Sequence, residues 1–340
     1  MSALNEVFCV NLDIRIWSGR KKLTAADLHL SESSLPPKDL ASLGNKRICD
    51  PALLKPLHRI EGRARDACQR VGVHFLSGYG VPKAKAEELV TILGQLRQEF
   101  DQEKHALLDS YEQAATDWIA AHPGWEHALK DFVPRDEAAG KLRFDFQTFA
   151  ILDPFAKPDG VQEDLKTNEA NHQGLRRATD SLPEQLYAEI ALAASDAWKK
   201  SFAGKLSVTR KALRPVKAAL VKLESMRFLD PGRIGTVVGR IRDKVDEVPR
   251  SGPIDGQVFL VIKGIVYVLS DVERLKLYAQ HLERGLPLDE SSLGRTEDIA
   301  AELSNTIPPS EGQGERIEPD ATASDLALPL SPRENPSFYW

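Results

Sequence analysis

The chain has 340 residues, of which 42% are hydrophobic and 28% are charged, and its formal net charge is −5. This length suits one large domain or two ordinary ones, and the net charge neither favours nor excludes a nucleic-acid partner. The most apolar stretch, residues 258–269, contains Lys263 and is too short for a transmembrane helix, which needs about 20 residues.

The first third of the sequence predicts one strand, one helix and a glycine-containing link. Residues 6–16 alternate between apolar and polar side chains, which is the period of a strand. Asp50 and Pro51 are a typical N-cap and first helical residue, and apolar residues at spacings of three and four extend this helix to Gly72. In the link that follows we predict a hinge between two helices, formed by Gly78, Gly80 and Pro82.

Two long helical regions are predicted after this link. Residues 83–121 contain no proline and only one glycine, Gly94, and their apolar side chains recur at spacings of three, four or seven. A helix of that length measures about 58 Å at 1.5 Å per residue, so it must lie against other long helices or another chain. The second region, residues 162–228, is predicted to lie antiparallel to the first, with a kink or a restart at Pro215.

Shorter elements complete a predicted helical domain of residues 1–285. Residues 141–152 alternate and predict a strand or an extended packing segment. Asp230 caps a further helix, and residues 258–282 are predicted to form one or two helices, the second capped by Asp271, with a strand as the alternative for the β-branched run. The predicted fold is therefore mainly α, an elongated bundle of long coiled-coil-like helices with a few short N-terminal and mid-chain β-strands.

Residues 286–340 differ in composition and are predicted to form a disordered acidic tail. They contain seven prolines and eleven acidic residues against three arginines, a net charge of −8. Such a segment buries too little apolar surface to offset the entropy of ordering it. The tail ends in Phe338, Tyr339 and Trp340. We expect these aromatic residues to dock on a partner or to fold back on the protein; the alternative is an unstructured end.

The segment 205–250 carries twelve basic residues against five acidic ones, a local excess of +7. Basic side chains on one helix face are suited to contact nucleic-acid phosphates. The alternatives are a solvated face and a face that the acidic tail neutralises, and no aromatic stacking platform interleaves with these residues. The candidate phosphate ligands are Arg210, Lys211, Arg214, Lys217 and Lys222.

No catalytic or metal-binding pattern is recognisable in the sequence. His122 and His127 are close together, but their spacing is not that of HExxH or a similar ligand motif. Cys9, Cys49 and Cys68 have no CxxC spacing, and their small odd number is typical of a reducing cytoplasm. The N-terminus also lacks the pattern of a signal peptide, so we expect a cytoplasmic protein. Since no catalytic or ligand motif is recognisable, we also expect no enzymatic activity, metal or cofactor.

Three stretches carry a resemblance to a known family, together with Tyr111 and Trp118 in the region that follows them. These stretches are residues 17–23, 43–51 and 72–82. Through them the chain resembles the DUF3150 family of bacterial and mobile-element proteins over roughly residues 5–285. The resemblance brings no catalytic residues with it. It implies a partner or substrate of a MoxR-type AAA+ ATPase and a von Willebrand factor A-domain (VWA) protein, on a mobile element or phage.

These patterns leave two functions open. The first is a non-enzymatic helical adaptor or scaffold that binds protein partners, with homo-oligomerisation as a further expectation. The second is a DNA-binding accessory protein that uses the basic segment 205–250.

Overall fold

The structure, a computed structural model, describes residues 6–31, 35–37, 39–130, 132–151, 165–286 and 289–293. Within these residues the chain is mainly helical, with a few antiparallel strands. The strands are β1 (Val7–Arg15), β2 (Arg20–Lys22), β3 (Asn45–Arg47), β4 (Val73–Phe75), β5 (Gly78–Pro82) and β6 (Arg143–Ala150). The α-helices are α1 (Lys55–Val71), α2 (Lys83–Asp109), α3 (Tyr111–Ala120), α4 (Glu126–Leu129), α5 (Arg135–Gly140), α6 (Leu165–Asp180), α7 (Leu182–Ala197), α8 (Arg214–Ser225), α9 (Pro231–Asp246), α10 (Gly256–Leu269), α11 (Val272–Glu283) and α12 (Glu290–Leu293).

A four-stranded antiparallel sheet in the order β4-β5-β1-β6 separates two hydrophobic cores. The predicted alternation of β1 is confirmed, because its two faces pack into different cores. Val7 and Cys9 join the core formed mainly by α7 to α11, whereas Val10, Leu12 and Ile14 join the core formed mainly by α1 and α2. The sheet is therefore covered on both faces and links the two helical groups.

The predicted long helix of residues 83–121 is divided into α2 and α3, which meet at Ser110. The hydroxyl of Ser110 donates to the carbonyl oxygens of Ala106 (3.1 Å) and Leu107 (3.2 Å). Such local bonds compete with regular helix continuation and bend or end helices. Helix α2 packs chiefly on α1, so the predicted long antiparallel pairing with region 162–228 is not how the described residues are arranged.

Region 162–228 is likewise divided into several helices. A π-helical turn, Trp198–Phe202, follows α7, and a β-bridge then joins Val208 to Ile254. Helix α8 restarts with Pro215 in its first turn, as predicted. Among the described residues of this region, these interruptions leave helices of at most 16 residues, so the predicted elongated bundle of long coiled-coil-like helices is not confirmed.

The predicted helix caps are confirmed at three aspartates. Asp50 accepts a hydrogen bond from an amide of the 3-10 turn that leads into α1, and α1 ends at Gly72. Asp230 accepts from the amide of Arg233 at the start of α9, and Asp271 caps α11 in the same way. Residues 258–282 therefore belong to two helices, α10 and α11.

None of the described helices combines the length and the apolar character that a membrane crossing requires.

The predicted hinge is part of the sheet. Gly78, Gly80 and Pro82 lie in β5, which pairs with β1 on one side and with β4 on the other, so they are not a free link between helices. A β-carbon at Gly78 would collide with the carbonyl oxygen of Val10 in β1. Glycine is required here because the two backbones lie too close together for a side chain.

The folded domain continues beyond the predicted boundary at residue 285. Helix α12 packs against α10, and Glu290, Ser291 and Leu293 are buried. The start of the predicted acidic tail thus belongs to the core. Residues 294–340, which include Phe338, Tyr339 and Trp340, lie outside the described residues.

Candidate nucleic-acid interface

The structure separates Lys222 from the other predicted phosphate ligands. Lys222 is buried in α8, and its Nζ lies 2.5 Å from an oxygen of Glu189 in α7. The other oxygen of Glu189 accepts hydrogen bonds from the amide of His74 (2.9 Å) and from Gln185 (3.0 Å). Lys222 therefore joins two helices and the sheet, and the interpretation of this residue as a phosphate ligand is wrong.

Glu189 is charged in the folded protein. Burial alone would raise its pKa, but hydrogen bonds from Gln185, Lys222 and the His74 amide outweigh burial and lower the pKa to about 2. Lys222 is paired with this negative charge and is not accessible to an external phosphate, since both side chains are only 10–15% exposed. This pair belongs to the packing between helices.

Five of the other eleven basic residues of the segment 205–250 are also paired with acidic side chains. Arg227 and Arg242 both approach Glu224, at 3.9 and 3.6 Å. The remaining pairs are Arg233 with Asp230 and Glu283, Arg240 with Glu290, and Lys244 with Glu247. Three of the acidic partners, Glu189, Glu283 and Glu290, lie outside the segment, so they compensate three of its seven excess positive charges.

Four of the five predicted ligands remain at the surface, namely Arg210, Lys211, Arg214 and Lys217. None of the four forms an ion pair with an acidic residue that the structure describes. Arg210 donates to the carbonyl oxygen of Pro249, which holds its guanidinium near the loop after α9. These four residues are called the α8 basic surface below. Like Lys205 and Arg250, they are basic residues of the segment for which the described residues offer no acidic partner.

The position of the α8 basic surface adds to its positive potential. Arg210 and Lys211 lie in the 3-10 turn that precedes α8, and Arg214 begins the helix. The first turn of α8 contains no acidic residue. A helix N-terminus carries a partial positive charge, and acidic residues normally compensate it. Here basic residues take those positions, so the helix and its side chains attract anions together.

Beyond Lys217 the surface becomes mixed in charge. A groove of about 610 Å³ lies between α8, α9 and the start of α2, and its lining includes the bases Lys85 and Arg242 and the acids Glu224 and Asp246. The apolar residues Leu220 and Val221 line the same groove. Its acids would repel phosphates, so the positive surface is confined to the beginning of α8.

The two histidines near Trp125 have structural hydrogen bonds. Nδ1 of His122 donates to the carbonyl oxygen of Trp118 (2.8 Å), and Nε2 of His127 donates to the carbonyl oxygen of Asp27 (3.1 Å). Among the residues that the structure describes, no group of three or more His, Cys, Asp or Glu side chains is placed to hold a metal ion.

A second group of basic residues was missed in the sequence. Strands β2 and β3 form a small antiparallel ribbon in which Arg20 lies opposite Arg47 and Lys21 opposite Lys46. The short runs 20–22 and 45–47 are visibly basic, but their pairing depends on a register that the sequence pattern does not reveal.

Comparison with known proteins gives a family. No curated protein and no solved structure matches the chain. A family model described as "Protein of unknown function (DUF3150)" matches residues 4–271, which is most of the chain and includes the sheet and the helices α1 to α10. The chain therefore belongs to the DUF3150 family.

Proposed function

We propose that this protein is a non-enzymatic, DNA-binding accessory protein that contacts phosphates through the α8 basic surface. The observation that carries the proposal is the difference between paired and unpaired basic residues. Lys222, Arg227, Arg233, Arg240, Arg242 and Lys244 all have acidic partners, whereas Arg210, Lys211, Arg214 and Lys217 have none among the described residues. Only the second set offers charge to an external anion.

The arrangement also fits a phosphate backbone. Arg210, Arg214 and Lys217 follow one another at spacings of four and three, which places them along one side of the turn and the helix. A row of cations at a helix start binds the regularly spaced phosphates of a duplex without reading its sequence. We therefore expect binding with little sequence preference and a strong dependence on salt.

A mobility-shift titration of duplex DNA across salt concentrations tests this function. The variant R210Q/R214Q/K217Q should bind more weakly, and the slope of log affinity against log salt should fall by about 1 for each phosphate contact removed. The matched control is K55Q/R59Q/R70Q, which removes two arginines and one lysine from α1, where none of the three has a described acidic partner.

The outcome of this comparison is decisive because both variants change the net charge equally. Loss of binding in the first variant alone supports contact at the α8 basic surface. Equal losses in both would indicate only a general charge effect, and an absence of binding by the wild-type protein at low salt would remove the proposed function.

A protein adaptor is the second candidate, and the anchoring of α12 favours it. Arg240 and Tyr278 both hydrogen-bond Glu290, so α12, which residues 294–340 follow in the sequence, is held in place. In sequence this segment carries nine acids against three arginines and ends in Phe338, Tyr339 and Trp340. A tethered aromatic motif of this kind binds a partner with the help of a raised effective concentration. In this proposal the partners are the MoxR-type AAA+ ATPase and VWA protein of a mobile element or phage, in the cytoplasm.

Truncation after residue 293 tests the adaptor role. This end point keeps Glu290 and Leu293 in the core, whereas removal from residue 286 would expose buried side chains. Pull-down of a co-expressed ATPase and VWA protein should fail with the truncated chain and with F338A/Y339A/W340A. Unchanged recovery of both partners would remove the tail from the proposal. Light scattering of the same samples would test the expected homo-oligomer.

A further inference from the structure

The ribbon of β2 and β3 presents a concentration of uncompensated positive charge. Arg20 and Arg47 lie directly opposite each other, and like charges in that position destabilise a strand pair. Both arginines are exposed, as is Lys22. None of these three residues forms an ion pair with an acidic residue in the described part of the chain. A bound anion would relieve this repulsion.

Buried contacts on the other side of the ribbon fix its position. Nζ of Lys46 lies 2.5 Å from a carboxylate oxygen of Asp27, and both side chains are less than 10% exposed. The backbone amide and the hydroxyl of Thr24 donate to the second oxygen of Asp27, at 2.7 and 2.8 Å. His127 in α4 donates to the carbonyl oxygen of Asp27. The exposed arginines are therefore carried by a small, firmly held platform.

An aromatic groove of about 420 Å³ adjoins this platform. Arg47, Trp118, His122 and Trp125 line it, with leucines from the surrounding turns. The indole nitrogen of Trp118 donates to the carbonyl oxygen of Arg47 (3.3 Å), and its ring lies 4.3 Å from that of His122. The volume is within the range of about 300–1,000 Å³ that is typical of small-ligand sites.

The rings beside this groove are stacked. Trp125 lies 6.2 Å from His127 with an angle of 19° between the ring planes, and His127 lies 4.3 Å from His29 with an angle of 29°. Trp125 stands at the edge of the groove and is 49% exposed. An exposed tryptophan supported by parallel rings offers a flat face on which a nucleobase can stack.

We propose that the ribbon and the aromatic groove form a binding site for single-stranded nucleic acid. One base stacks on Trp125 at the groove, and the adjoining phosphates contact Arg20 and Arg47. The combination of a cationic track and an aromatic face favours unpaired bases, because bases inside a duplex are already stacked on each other. This inference shares with the proposed function only the nucleic-acid class of ligand, and it uses a different surface.

Fluorescence anisotropy with a labelled short oligothymidylate and with a duplex of the same length tests the site. The variant W125A should bind the single strand about 5- to 150-fold more weakly, the loss typical of one base–aromatic stack, while its affinity for the duplex stays unchanged. The variant W125F should retain most of the affinity. The matched control is F149A, since Phe149 is 45% exposed but lies on β6 at the edge of the central sheet.

The charge contribution is measured separately. The variant R20Q/R47Q should weaken single-strand binding and lower its salt slope by about 0.7 for each phosphate contact, whereas R59Q/R70Q on α1 should leave both unchanged. Circular dichroism spectra of all variants check that each is folded.

The two proposals fail in different ways. Equal affinity of wild-type protein and W125A for the single strand, or no single-strand binding at low salt, would overturn this site and leave the α8 basic surface untouched. Conversely, if R210Q/R214Q/K217Q keeps its duplex affinity while W125A loses the single strand, the α8 proposal fails and this site stands.

Discussion

Arg240 holds Glu290 through two parallel hydrogen bonds, from Nε to one carboxylate oxygen at 2.6 Å and from Nη2 to the other at 2.9 Å. The hydroxyl of Tyr278 donates a third bond at 3.1 Å to the same carboxylate. Glu290 is almost completely buried, and these three hydrogen bonds satisfy its carboxylate in place of water. This cluster attaches α12 to α9 and α11 and ends the described part of the domain.

Substitution of Glu290 by alanine should destabilise the protein. The change removes the carboxylate to which the Tyr278 hydroxyl and the Arg240 guanidinium donate. We expect the free energy of unfolding to fall by about 2 kcal/mol, less than for a fully buried pair because Arg240 remains partly in water. Urea unfolding measures the change. E283A removes a surface carboxylate from Arg233 and should cost less than about 1 kcal/mol. Equal effects of the two variants would contradict the buried-pair account.

Glu189 should make stability depend on pH in the acid range. Its pKa is about 2 in the folded protein and 4.5 as an ordinary value. A lowered pKa contributes stability that is complete above pH 4.5 and is lost as the pH falls towards 2. The contribution at neutral pH is on the order of 3 kcal/mol.

Unfolding measured for the wild type and for E189Q between pH 2 and pH 7 tests this dependence. The difference in unfolding free energy should shrink as the pH falls, since a protonated Glu189 resembles glutamine. D196N, which alters an exposed carboxylate paired with Lys200, is the control and should follow the wild type closely. A wild-type advantage over E189Q that stays constant with pH would show that the charge of Glu189 is not its source.

Local features of the fold were predictable from the sequence. The alternation of β1, the caps at Asp230 and Asp271, and the end of α1 at Gly72 each depend on a few neighbouring residues. The division at Ser110 was missed, since serine also occurs inside helices and the sequence does not show where its hydroxyl bonds back to the preceding turn.

The charged sites were less predictable because ion pairs join distant parts of the chain. Lys222 meets Glu189 across 33 positions, and Arg240 meets Glu290 across 50. A count of charges along the sequence cannot distinguish these paired residues from exposed ones such as Arg214. For the same reason the sequence does not reveal the ribbon of β2 and β3, because Arg20 and Arg47 are far apart in the chain and lie opposite each other only when the strands pair.

The three cysteines should react slowly in the folded protein. Burial raises the pKa of Cys9 and Cys49 to about 11 and that of Cys68 to about 12. Only about a thousandth of each thiol, or less, is then the reactive thiolate at pH 8. Titration with a disulfide reagent should show slow labelling of the native protein and rapid labelling of all three in denaturant. A native thiol that reacts as fast as free cysteine would contradict this burial.

Gly78→Ala should destabilise the protein, because the new methyl group meets the Val10 carbonyl oxygen in the adjacent strand. Neither strand moves easily, since β5 is paired on both sides and β1 on both sides as well. Forcing a group into such a space costs about 1–3 kcal/mol, and the loss should appear in urea unfolding.

Gly94→Ala provides the matched control for this substitution. Gly94 lies inside α2, and a β-carbon there meets no atom within 4 Å. Alanine should therefore stabilise the helix, by about 0.5–1 kcal/mol, through its higher helix propensity. The two glycine substitutions are thus expected to have opposite signs. If Gly78→Ala destabilises the protein, the close packing of β5 against β1 is supported. If it stabilises the protein, Gly78 has room for a side chain and the close approach of the two strands is contradicted.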